Sequence, residues 1–94
     1  MYFTISIYDL MQNRSYPDAG ARLYSIMAEK IDTVDKIDLD LANVSLVPSM
    51  FLNVSFGRFI RERGADFIKQ KVTFSNITTS QAKQIKEYVE RFHN

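Results

Sequence analysis

One stretch, residues 37–60 (IDLDLANVSLVPSMFLNVSFGRFI), constrains the fold most, because its hydrophobic period changes partway along. Ile37, Leu39 and Leu41 alternate with Asp38 and Asp40, the period-two pattern of a strand with one apolar and one polar face. Ala42-Asn43 interrupts the alternation, and asparagine is among the few residues that accept a left-handed backbone. A short apolar passage, Val44 to Val47, leads to Pro48. From Ser49 the period becomes 3.6, placing Leu52, Phe56, Phe59 and Ile60 on one side of a helix that Gly64 can end. The stretch therefore predicts a strand, a tight turn and a buried helix with a serine at its start.

The flanking sequence repeats the alternation of strand and helix. Residues 2–8 (YFTISIY) read as a strand, with Phe3, Ile5 and Ile7 on one face and Tyr2, Thr4, Ser6 and Tyr8 on the other. Asp9 to Ser15 reads as a polar connection with Leu10 and Met11 tucked beneath it. Ser15 or Tyr16 then caps a helix with Pro17 and Asp18 in its first turn. Its buried stripe is Ala19, Leu23, Ile26, Met27 and Ile31, with Gly20 packed closely on the sheet. Beyond Gly64, residues 65–70 read as a connection in which Phe67 and Ile68 plug the core, and 71–76 as a third strand. Thr78 with Gln81 forms a capping-box signature, opening a last helix that buries Ala82, Ile85, Val89 and Phe92.

The resulting order, β-α-β-α-β-α, implies an α/β fold with a small parallel sheet and right-handed crossovers in a single domain over residues 1–94. Every strand has one polar face, so the helices are expected mainly on one side, with strands in spatial order 1-2-3. The other side would carry Tyr2, Thr4, Ser6, Tyr8, Asp38, Asp40, Thr73 and Ser75.

The central unit resembles that of the STAS superfamily, the sulphate transporter and anti-sigma-factor antagonist domains, and more closely a bacterial STAS-like family of unknown function. The resemblance rests on the strand closing at Asp40-Leu41, on Val44, on the step from Ser49 to Phe51, and on Gly57-Arg58. Asn43 stands where a glycine is usual, Pro48 where phosphorylatable antagonists have aspartate, and Met50 in place of a frequent second serine. The resemblance implies a STAS-like fold and a regulatory protein-interaction role. It also implies Ser49 as the position that a partner kinase phosphorylates, and a histidine-kinase-type ATPase as that partner.

The residues themselves argue against several other classes. A net charge of +1, from 12 basic and 11 acidic residues spread along the chain, gives no electrostatic footprint for nucleic acid or a membrane surface. Tyr2 and Tyr8 on an open sheet face suggest base stacking, but Asp38 and Asp40 on that face would repel phosphates. The same two carboxylates lack a third ligand or a glycine-bearing loop, so no metal is expected. The one histidine, His93, is penultimate and poorly placed for a general base, and no cofactor motif or glycine-rich phosphate loop is present. The start, Met1-Tyr2-Phe3-Thr4, does not read as a signal peptide, and no apolar run approaches the ~20 residues of a membrane span. With no cysteine either, a soluble cytoplasmic protein that is not an enzyme is expected.

Two readings of the helix start stay open. Ser49 is either a regulatory phosphorylation site or only a helix cap. Beside it, Met50, Phe51, Val54, Arg58 and Arg61 exceed what the core stripe needs. They form either a candidate partner surface, since methionine adapts and arginine and phenylalanine anchor interfaces, or a face that a neighbouring helix buries in part. The alternative from another class is a structural or self-assembling homodimer.

Overall fold

The computed structural model describes residues 1–92. Three short strands, β1 (Tyr2–Ser6), β2 (Lys36–Asp40) and β3 (Val72–Ser75), pair in parallel in the order β1-β2-β3. The register sets Ile5 beside Leu39 and Leu39 beside Phe74, an apolar row across the sheet. One residue earlier, Thr4, Asp38 and Thr73 align in a polar row. The apolar row joins Leu23, Met27, Leu52, Phe56 and Phe59 in the core. No residue of the polar row is buried, so the helices cover one face and leave the other open, as the alternation predicts.

The first crossover departs from its expected layout. β1 stops at Ser6, whose hydroxyl accepts the Asp9 amide at 3.2 Å and caps a short helix, α1 (Ile7–Met11). Tyr8 therefore lies on this helix and not on the sheet face. The alternation through Ile7 and Tyr8 fits either state over so few residues, and the capping bond decides for helix. Helix α2 (Tyr16–Lys30) starts as expected, with Ser15 accepting the Asp18 amide at 3.2 Å. Its stripe of Ala19, Leu23, Met27 and the following Ile31 is buried, while Ile26 is half-buried.

The second crossover runs from α3 (Ser49–Leu52) through a π-helical segment, Asn53–Gly57, into α4 (Arg58–Arg63). Leu52, Phe56, Phe59 and Ile60 are all buried, as the periodicity predicts. The wider π turn rotates what precedes it relative to a uniform helix. Phe51 is consequently only 3% exposed and Ser55 fully buried, with its hydroxyl donating to the Phe51 carbonyl at 2.7 Å. Gly20 packs against this helix and not on the sheet: a Cβ there would lie 2.7 Å from the Phe51 carbonyl oxygen and 3.1 Å from Val54 Cβ.

Gly64 ends α4 with φ 92, a conformation that a side chain would strain. Residues 65–70, expected to be a connection, instead belong to α5 (Ala65–Lys71), which buries Ile68. The last helix, α6 (Thr79–Glu90), carries the complete capping box between Thr78 and Gln81. Ile85 and Val89 are buried in it, joined by Gln81 and Tyr88; Phe92 is half-buried, and Ala82, expected inside, is exposed.

Candidate functional site

The segment joining β2 to α3 lies at the carboxyl end of the central strand, where open α/β sheets present their ligand-binding loops. Its path is fixed by side chains from both sides. Asp40 Oδ1 accepts the Ala42 amide at 2.9 Å and the Asn76 side-chain amide at 2.8 Å. These two bonds hold the Asp40 carboxyl below its ordinary range, with the Asn76 contact the larger cause. Asn43 takes the left-handed conformation (φ 68), and the Val44 amide closes the turn on the Leu41 carbonyl at 3.0 Å. From α6, Gln81 Nε2 donates to the Val44 carbonyl at 2.6 Å and Gln84 Nε2 to that of Val47.

Anchored in this way, the segment buries Val47 and leaves Leu46 60% exposed. Pro48 sits in the capping position in extended conformation, and no side chain caps the helix start. Ser49 is thus the first helical residue and exposed, so the reading of Ser49 as a cap does not hold. Met50 beside it is 56% exposed. A shallow groove of about 270 Å³ borders the segment on the α1 side, lined by Tyr8, Met11, Arg14, Tyr16, Val44 and Leu46 among others. Tyr8, Tyr16, Leu46 and Met50 supply four of the large exposed apolar side chains among the described residues.

The structure separates the five residues expected to form one partner surface. Met50 stays beside Ser49, but Phe51 is buried in the core and Val54 is half-buried where Gly20 of α2 approaches it. Arg58 is exposed, with its guanidinium 4.0 Å above the Tyr24 ring and an ion pair to Glu62 at 3.6 Å. Tyr24 donates to the same Glu62, which raises the tyrosine pKa. Arg61 is exposed farther along the helix.

Exposed apolar surface that the expected set did not include comes from Leu46, and from Tyr8 and Tyr16 on the groove that Leu46 lines. Sequence periodicity missed them because Leu46 sits in irregular chain, Tyr8 on a short helix that reads as strand, and Tyr16 at the first residue of α2. Pro48, two residues after Leu46, was the available hint, since a proline before a helix leaves the approaching chain outside any repeating pattern.

The two aspartates of the sheet face are engaged by neighbours. Asp38 accepts from Thr73 at 3.0 Å and from Ser75 at 2.7 Å, which ties β2 to β3. Among the described residues no group of three or more histidine or acidic side chains is arranged to hold a metal. His93 lies outside the described residues. No helix among the described residues is long and apolar enough to cross a membrane.

A three-stranded parallel sheet with its helices on one face and an exposed serine opening the central helix defines a small STAS-like α/β domain. The family model described as a STAS-like domain of unknown function (DUF4325) matches residues 19–82, and the chain belongs to that family. No curated protein and no solved structure matches it.

Proposed function

We infer that the chain is a non-catalytic regulatory module that docks a protein partner on the surface around Ser49, and that phosphorylation of Ser49 switches the docking. The observation that carries this reading is the exposed Ser49 at an uncapped helix start, flanked by exposed Leu46 and Met50. Apolar side chains on both sides give a partner something to bury, and the hydroxyl between them gives a kinase something to modify. The unpaired amides of the helix start tolerate a phosphate. Its ~2 negative charges would act on the docked partner, which would have to desolvate them. By resemblance to anti-sigma-factor antagonists, the partner is a histidine-kinase-type ATPase, met in the cytoplasm.

Affinity capture from the native host, with phosphopeptide mapping of the bait and identification of the bound proteins, tests this. The expected result is an ATPase captured by the wild-type chain, a Ser49 phosphopeptide, and loss of capture by Ser49→Asp and Leu46→Asp variants that melt like wild type. Equal capture by a well-folded Ser49→Asp, with Ser49 unmodified under every growth condition, overturns the switch.

A further inference from the structure

On the far side of α6 from the Ser49 segment, a groove of about 370 Å³ opens between α6 and the β3–α5 edge. Phe56 lines it, Ile68, Val72 and Phe74 contribute from α5 and β3, and Ala82 and Val89 from α6. The groove stays open because α6 is fastened on its other flank. Gln81 and Gln84 hold the carbonyls of Val44 and Val47, and Tyr88 donates to Asn53 Oδ1 at 2.7 Å. Two exposed lysines stand at its margin, Lys69 on α5 and Lys86 on α6, against a single acid, Glu90.

We propose that this groove binds a small amphiphilic anion, a medium-chain carboxylate whose alkyl chain lies along Phe74, Ile77 and Ala82 and whose head pairs with Lys69 and Lys86. Its volume falls within the range of small-molecule sites, about 300–1,000 Å³, and is too small to seat a helix. Its apolar walls suit a chain that needs no hydrogen bonds inside. The charge excess sits at the margin, where a carboxylate head stays hydrated while paired.

Two other occupants fit less well. An added strand would find little of β3 to pair with. Ser75 already accepts from Leu41 at 3.0 Å, and alternate residues of a parallel strand face the same neighbour. Phe74 is therefore the one residue with both backbone groups directed outward, since the Val72 amide is bonded to Ile68 and Asn76 ends the strand at φ 53. A second copy across a two-fold axis would set the same lysine-rich margins against each other.

The test is titration with decanoate below its micellar concentration, read by calorimetry and by amide chemical shifts, with decylamine as the opposite-charge control. Saturable decanoate binding is expected, with shifts centred on Val72, Ile77, Ala82 and Lys86 and a raised melting temperature. Ala82→Trp fills the groove from an exposed helix position and should abolish binding while leaving the circular dichroism spectrum unchanged. Lys69→Glu with Lys86→Glu should weaken decanoate and favour decylamine. Absent saturation, binding untouched by Ala82→Trp, or decylamine binding the wild type as well as decanoate would each overturn the proposal. So would a dimer that Ala82→Trp dissociates, which would assign the groove to a second copy.

Discussion

At Gly57 the absence of a side chain decides how α6 meets the central helix. A Cβ there would lie 2.4 Å from the Tyr88 hydroxyl, which itself donates to Asn53 at the start of the π segment. Gly57→Ala should destabilise by about 1–3 kcal/mol through overpacking, measured as a shift in the urea midpoint. Tyr88→Phe removes the clashing atom and a hydrogen bond, costing about 1 kcal/mol alone. The double variant should be less destabilised than the sum of the two, because the second change relieves the first. Strict additivity would mean that the two groups do not meet. Gly57 was legible in the sequence as part of the family pattern, but its contact was not. Tyr88 lies 31 residues later, and no local pattern relates the two positions.

Asp40 gives a residue-scale test in pH. Its carboxyl is held below the ordinary 3.8 by Asn76 and the Ala42 amide. A depressed carboxyl stabilises the fold above its unfolded value, and that contribution is lost as pH falls through the lower folded one. The stability difference between wild type and Asp40→Asn should therefore be present near about pH 6 and close toward about pH 2. A difference constant across that window would show that the bonds to Asp40 do not depend on its charge.

At the scale of elements, the strands and longer helices were legible wherever one face is buried, as with Ile37 and Leu39 in β2 or Leu23 and Met27 in α2. Short elements were not. Ser6 and Gly64 each switch the chain locally, by a capping bond and by a positive φ, and period counting over five or seven residues does not register either. The π turn hid Phe51 for the related reason that a single widened turn breaks the phase of a uniform helix. α6 shows how one side chain serves two levels. Gln81 Oε1 accepts the Thr78 amide at 3.0 Å, while its Nε2 reaches the Val44 carbonyl. Thr78→Ala should cost about 1 kcal/mol as a lost cap, and Gln81→Ala should cost more, since it also frees the segment before Ser49. Gln81→Glu keeps the acceptor but not the donor, and its melting temperature should lie between those of Gln81→Ala and wild type. A Thr78→Ala protein less stable than Gln81→Ala would show that the bond to Val44 carries no weight.

For the whole molecule, the strand order and the open polar face followed from alternation because a parallel sheet with helices on one side needs only one apolar row. The candidate site was legible at Ser49 and Met50 alone, because Leu46 comes from irregular chain and Tyr8 and Tyr16 from the first turns of two helices, which only the assembled fold brings to one groove. The same assembly makes Phe56 the residue on which most depends. It is 1% exposed, packs its ring 6.1 Å from that of Phe74, and lines the groove beneath α6. Phe56→Ala removes a ring from between the helix layer and the sheet and should cost about 3–5 kcal/mol. Against a total of about 5–15 kcal/mol for a typical domain, that lowers the urea midpoint substantially. The slope of the transition should stay near the wild-type value, because the surface exposed on unfolding changes little. Leu46→Asp, on the exposed segment before Ser49, should leave the midpoint within about 0.5 kcal/mol of wild type. The contrast between the two variants tests where stability resides, in the apolar row and the helix upon it and not in the segment at the strand's carboxyl end. A Leu46→Asp protein as unstable as Phe56→Ala would show that this segment is part of the core.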